Sequence, residues 1–175
     1  RKKYDLILLP VVGTFGASAG LYAMREEYIL TRDAFLQMWD LLEDDGIISI
    51  STWMDYPFRN PLKITATIAE FLETVKPGAT SAHLAAIRSW GTVSFLIKKS
   101  PLTSSDTSAI RHFCNKVYFD PLFLPGLSTV ERTAYNEMSD TSFFSYVDEL
   151  LSSNRRKLYE DYDFYIRPAT DDNPY

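Results

Sequence analysis

The run Tyr4 to Val12 (YDLILLPVV) is almost continuously apolar. That pattern belongs to a strand covered on both faces of a parallel sheet, not to a half-solvated antiparallel one. Pro10 marks where ladder bonding ends. A parallel strand needs a crossover before its partner, and the next residues supply one. Thr31 offers an N-cap, Asp33 places an acid in the first turn, and Phe35, Met38, Leu41 and Leu42 recur at helical spacing. Gly46 is expected to close that helix as a left-handed stop, and Ile47 to Trp53 (IISISTW) to form the second strand.

Asn60-Pro61 then starts a helix whose stripe is Ile64, Ile68, Phe71, Leu72 and Val75, ended by Pro77-Gly78. Strand, helix, strand, helix is the alternation of an α/β domain. The pattern changes at His83 to Trp90 and Thr92 to Lys98, two strand-like runs separated by little more than Gly91. So short a link cannot hold a crossover helix, which makes this pair antiparallel. A helix over Asp106 to Lys116, an extended piece at Phe119 to Leu124, and one helix over Ser142 to Tyr159 complete the reading. The last carries Phe144, Val147, Leu150 and Leu151 on one side.

The 175 residues, 46% of them hydrophobic, suffice for one packed core. A net charge of -5 argues against a nucleic-acid partner, and the one basic cluster, Arg155-Arg156-Lys157, reads as a solvated helix face beside Glu160 and Asp161. The sole cysteine, Cys114, excludes an internal disulfide and lies on the stripe Ile110, Phe113, Cys114, Val117, which fits a small core residue. His83 and His112 have no partners at metal-ligand spacing. Asp171-Asp172 stands in a Thr-Asp-Asp-Asn-Pro stretch, where carboxylates serve turns more often than metals. No segment reaches the roughly 20 apolar residues that span a bilayer, and no signal peptide is visible. Arg1-Lys2-Lys3 leads directly into the first strand without a methionine, which reads as an excised piece of a longer protein.

A parallel alternation ending in an antiparallel hairpin resembles the C-terminal half of the class I methyltransferase fold, which aminopropyltransferases share. YDLILL resembles the fourth strand of spermidine synthases, and DAFLQMWDLLEDDGIISI their following helix, turn and fifth strand. The likeness is narrower to spermidine synthase-like domains fused to bacterial multi-pass membrane regions. It rests on FGASAG, Glu26-Glu27-Tyr28-Ile29-Leu30-Thr31, Ser51-Thr52-Trp53, Phe119 to Gly126 and Pro168 to Pro174, in that order. The resemblance implies a single domain fragment over 1–175 running from strand four onward, with a helical extension over 127–165. It also implies S-adenosylmethionine or decarboxylated S-adenosylmethionine as cofactor of the full-length protein, bound poorly by this piece alone. The partners implied are the missing N-terminal half of the same domain and a membrane region of the parent, which would put this portion in the cytoplasm of a bacterial inner-membrane protein.

Ligands in α/β folds lie outside the carboxyl ends of parallel strands. Glu26 and Asp55 follow those ends and are the candidate catalytic acids; Gly13, Thr14, Tyr28 and Trp53 are the candidates for binding cofactor or substrate. Tyr and Trp can stack on an adenine or another planar group. Gly13, Gly16 and Gly20 do not have the G-x-G-x-x-G spacing, and no metal site is expected. Aminopropyltransferases place carboxylates directly after strand four to bind the cationic amine and take its proton. Here that position reads Pro10-Val11-Val12-Gly13-Thr14, which argues against putrescine as acceptor. Two readings therefore stand: a methyl- or aminopropyl-transferase of unknown acceptor, and a non-catalytic ligand-sensing or interaction domain of a membrane protein. An open sheet edge at Tyr4 to Val12 is expected to favour self-association.

Overall fold

A computed structural model describes residues 2–12 and 27–175. They form an α/β fold on one mixed sheet of five strands in the order β1-β2-β4-β3-β5. The strands are β1 (Tyr4–Val12), β2 (Leu42–Trp53), β3 (Leu84–Arg88), β4 (Thr92–Lys98) and β5 (Asp120–Phe123). The helices are α1 (Arg32–Leu41), α2 (Asn60–Val75), α3 (Thr80–His83), α4 (Ser104–Val117), α5 (Ser142–Leu150) and α6 (Arg155–Asp161). β1 and β2 are parallel; β2–β4, β3–β4 and β3–β5 are antiparallel. The expected parallel pair and hairpin are both present. The hairpin's second strand, β4, lies against β2 from Ile47↔Lys98 to Trp53↔Thr92, so it is inserted between β2 and β3.

α1 forms as its sequence dictates. The Thr31 hydroxyl accepts from Ala34 N at 3.1 Å, and Asp33 occupies the first turn. Its inward residues Phe35 and Trp39 meet Phe71 of α2 edge to face, with centroids 5.9 and 5.5 Å apart. α2 is the central helix: Pro61 stands in its first turn and Leu62, Ile64, Ala66, Ile68, Phe71 and Leu72 are all buried. Gly78, at φ +70, takes the left-handed conformation just past its end.

Three expectations need correction. Gly46 does not stop α1, because Leu42 is already extended (φ -77, ψ 143) and Gly46 lies inside β2. Its glycine is required by close approach: a Cβ would stand 2.9 Å from the Tyr4 carbonyl oxygen and 3.1 Å from that of Glu43. The register agrees, since Tyr4 pairs with Leu42 but Leu6 with Ile47, leaving Glu43 to Gly46 as a bulge against Asp5.

β1 is not covered on both faces. Leu9 is buried and Ile7 half-buried against the core, but Leu6 and Leu8 on the other face are 55% and 57% exposed. β1 is the edge strand, and no described residue covers that face.

The helix expected over Ser142 to Tyr159 is two helices. Ser152 breaks it by offering the backbone other partners: its hydroxyl donates to Glu149 O (2.8 Å) and accepts from Asn154 N (3.0 Å). Phe143, Val147 and Leu150 of α5 and Leu158 of α6 reach the core, while Phe144 and Leu151 are only partly buried.

The far edge is finished differently. β5 has four residues, one of them Pro121, and carries the buried Asp120. The Arg88 guanidinium lies 3.3 Å from Asp120, with the side chains 2% and 0% exposed. Asp120 also accepts from Tyr135 N (2.8 Å), Asn136 N (2.9 Å) and Asn136 Nδ2 (2.9 Å), and Arg88 donates to the carbonyls of Arg132 and Asn136. The loop after the 3-10 turn Thr129–Thr133 is thereby fastened over β5.

Candidate functional site

The parallel pair ends at Val12 and Trp53, and the chain leaves both ends on the same side of the sheet. Gly13, Thr14 and Glu26, with Gly16 and Gly20, lie outside the described residues. Tyr28, Trp53 and Asp55 lie within them. Trp53 is the last residue of β2, partly buried and opposite Thr92. Tyr28, 51% exposed, opens a 3-10 turn before α1. The turn between β3 and β4 reaches the same end, where Met54 N donates to Gly91 O at 2.8 Å. It displays Trp90 at 83% exposure, and Tyr56 in the neighbouring loop is 73% exposed. Among the described residues, Trp90 and Tyr56 are therefore the most exposed aromatic side chains at this end of the sheet.

Asp55 is committed locally. Its carboxylate accepts from Arg59 N (2.9 Å) and from Asn60 N (3.1 and 3.3 Å), with the Arg59 guanidinium 3.8 Å away. These are the unpaired donors at the start of α2, so Asp55 acts as that helix's acidic cap.

Tyr175 joins the two loops. Its carbonyl accepts from Glu27 N at 3.4 Å, and its hydroxyl donates to Asn60, 2.9 Å from the backbone oxygen and 3.1 Å from Oδ1. Burial, reinforced by the charges of Asp55 and Glu27, pushes this phenol well above its ordinary range. Lys63 stands over the ring, 4.7 Å from the centroid, and burial draws its ammonium pKa down. The sequence marked Asn60 only as a helix start and did not single out Tyr175 or Lys63. The signal present was the aromatic residue closing the Asn-Pro-Tyr end, but its partners lie more than 110 positions away.

The segment before it is a strap across α1 and α2. Ala169 N donates to Thr67 Oγ1 (3.1 Å), Arg32 N to Ala169 O (2.8 Å), Thr31 Oγ1 to Asp171 Oδ1 (2.7 Å) and Asp171 N to Asp33 Oδ2 (3.0 Å). That last bond is the main reason the Asp33 carboxyl is held below its usual range. Asp171 thus serves the turn and the cap of α1. Among the described residues, no group of three or more His, Cys, Asp or Glu is placed to hold a metal ion.

The remaining titratable residues have structural environments. His83 is buried with Nδ1 2.9 Å from the Lys98 carbonyl oxygen. Burial pushes the Cys114 thiol up to about 11, the opposite of what a nucleophile needs. Arg156 and Lys157 are solvated, whereas the Arg155 side chain turns inward and is 12% exposed. No described helix is long and apolar enough to cross a membrane.

Comparison of the chain with protein-family models, with curated proteins and with solved structures returned no match.

Proposed function

We propose that this chain is the C-terminal half of a Rossmann-like domain of the spermidine synthase and S-adenosylmethionine methyltransferase type, acting on an acceptor other than putrescine. The observation that carries this reading is the sheet. A parallel pair is followed by an antiparallel hairpin whose second strand is inserted beside β2, while among the described residues nothing pairs the outer edge of β1 or covers its second apolar face. A further parallel strand would pair the β1 edge and its crossover helix would cover Leu6 and Leu8, and on this reading both come from the N-terminal half of the same domain. That half would hold S-adenosylmethionine or its decarboxylated form. The aromatic edge around Trp53, with Tyr28, would face the planar part of the cofactor or acceptor. A parent protein with a membrane region belongs to the same reading.

The test is calorimetry on a longer protein that includes the preceding residues. Micromolar binding of either cofactor is expected, with the 175-residue chain binding far more weakly. No heat at millimolar cofactor would sink the proposal.

A second reading, a non-catalytic ligand-sensing or interaction domain, is favoured by one observation: Asp55, a candidate acid, is engaged in capping α2. On that reading Asp55→Ala lowers stability by about 1 kcal/mol, as cap losses do, and leaves ligand binding unchanged. Under the transferase reading the same variant loses turnover beyond any loss of folded protein.

A further inference from the structure

A cavity of about 340 Å³ on the outer side of α2 is lined by Arg32, Arg155, Arg156 and Arg167, with Tyr159, Glu70, Glu160 and Thr170. Four guanidiniums thus face two carboxylates, on a chain whose net charge is -5. The four arginines come from three places: the start of α1, the start of α6, and the strap before Ala169. A second cavity of about 620 Å³ adjoins it, sharing Glu70, Arg155 and Arg156 and continuing past Thr80, Ser81, Ser152 and Ser153.

The two cavities also contain unmet hydrogen-bonding demand. Among the described residues, the buried side-chain polar atoms without a partner are Arg32 Nε, Thr80 Oγ1 and Tyr159 OH. All three belong to residues lining these cavities. A buried polar group without a partner costs roughly 1–3 kcal/mol, so its persistence in one place needs a reason. Burial pushes the Tyr159 phenol up to about 12, against the pull of Arg155 and Arg167, so it remains a proton donor. Part of the charge is met within the chain, since Arg32 pairs with Asp33 at 3.2 Å, while Glu70 lies 3.9 Å from Arg155, too long for a hydrogen bond.

We propose that this trench binds a phosphorylated small molecule, the phosphate seated among Arg155, Arg167 and the Tyr159 hydroxyl. A phosphate meets a site that stays positive, since the four arginines outnumber Glu70, Glu160 and the Asp33 paired with Arg32, and guanidinium forks match phosphate oxygens in pairs. The adjoining cavity, lined by the hydroxyls of Thr80, Ser81, Ser152 and Ser153 and by the Glu73 carboxylate, has room for a polar organic body that carries hydrogen-bond donors beyond the phosphate. None of Tyr28, Trp53 and Asp55 lines either cavity, so the site is independent of the transferase reading.

Titration calorimetry of the 175-residue chain with inorganic phosphate, glucose 6-phosphate and AMP tests this at low ionic strength. At least one ester should bind below 1 mM (~4 kcal/mol) and tighter than inorganic phosphate. Arg167→Gln, on an exposed residue, should weaken that binding about tenfold with an unchanged melting temperature, and Tyr159→Phe several-fold. Glu70→Gln should tighten it, a change of sign that a structural role would not produce. Absence of binding by all three probes at 10 mM (~2.7 kcal/mol) would overturn the proposal, as would equal affinity for free phosphate and both esters. Binding indifferent to Arg167→Gln would overturn it too.

Discussion

The two edges of the sheet are built on opposite principles. β5 is four residues long, contains Pro121, and is locked under a loop by the buried Arg88–Asp120 pair. Short length, proline and a covering loop are the standard means of ending a sheet. β1 has nine residues and shows Leu6 and Leu8 to solvent. Among the described residues, one edge is closed by its own side chains and the other leaves apolar ones exposed.

The largest effect expected concerns the finished edge. Removing one partner of a buried ion pair leaves an unpaired charge and costs about 3–5 kcal/mol. Arg88→Met should lose that much in urea unfolding, and Arg88→Met with Asp120→Asn should regain part of it, since the amide removes the charge and keeps an oxygen for the Tyr135 and Asn136 donors; a loss below 1 kcal/mol (far under the buried-pair range) would break the contrast.

Gly46→Ala comes next, since its Cβ would press on the Tyr4 carbonyl. Overpacking of this kind costs about 1–3 kcal/mol. Hydrogen exchange should show β1 amides losing protection while β3 and β5 keep theirs. Sedimentation velocity is expected to show pairing of chains through the exposed Leu6 and Leu8, and Leu8→Lys to weaken it about tenfold (~1.4 kcal/mol) with little change in melting temperature.

The smallest effect lies between the edges. Asp106 is held at about 2, first by the Thr103 backbone N–H and then by Lys98, 2.9 Å away. A carboxyl depressed in the folded state stabilises above its unfolded value, near 4, and the contribution is lost as pH falls toward 2. Asp106→Asn should therefore flatten the fall in urea midpoint between about pH 4 and pH 2.

Local signals explain what could be read from the chain. The Thr31 cap, the Asn60-Pro61 helix start and the Gly91 hairpin are each decided within a few residues, and each formed as expected. Gly46 misled because a glycine that ends a helix and a glycine that admits a neighbouring backbone look alike without knowledge of Tyr4. β1 shows an apolar run, but a run cannot say whether its cover lies within the described residues. Ser152 and Ser153 were a breaker signal that the apolar stripe outweighed. Arg88 with Asp120, and Arg32 with Arg155 and Arg167, were illegible for a plainer reason: only the fold makes them neighbours.

Cys114 has a practical consequence. It is the one thiol in the chain, 1% exposed on α4, and Asp120 is near enough to help raise its pKa. A disulfide reagent can reach it only when α4 lifts away, so its labelling rate at fixed pH is a clock for local opening at the β5 side. The molecule carries its own single-site reporter of how often its finished edge comes undone.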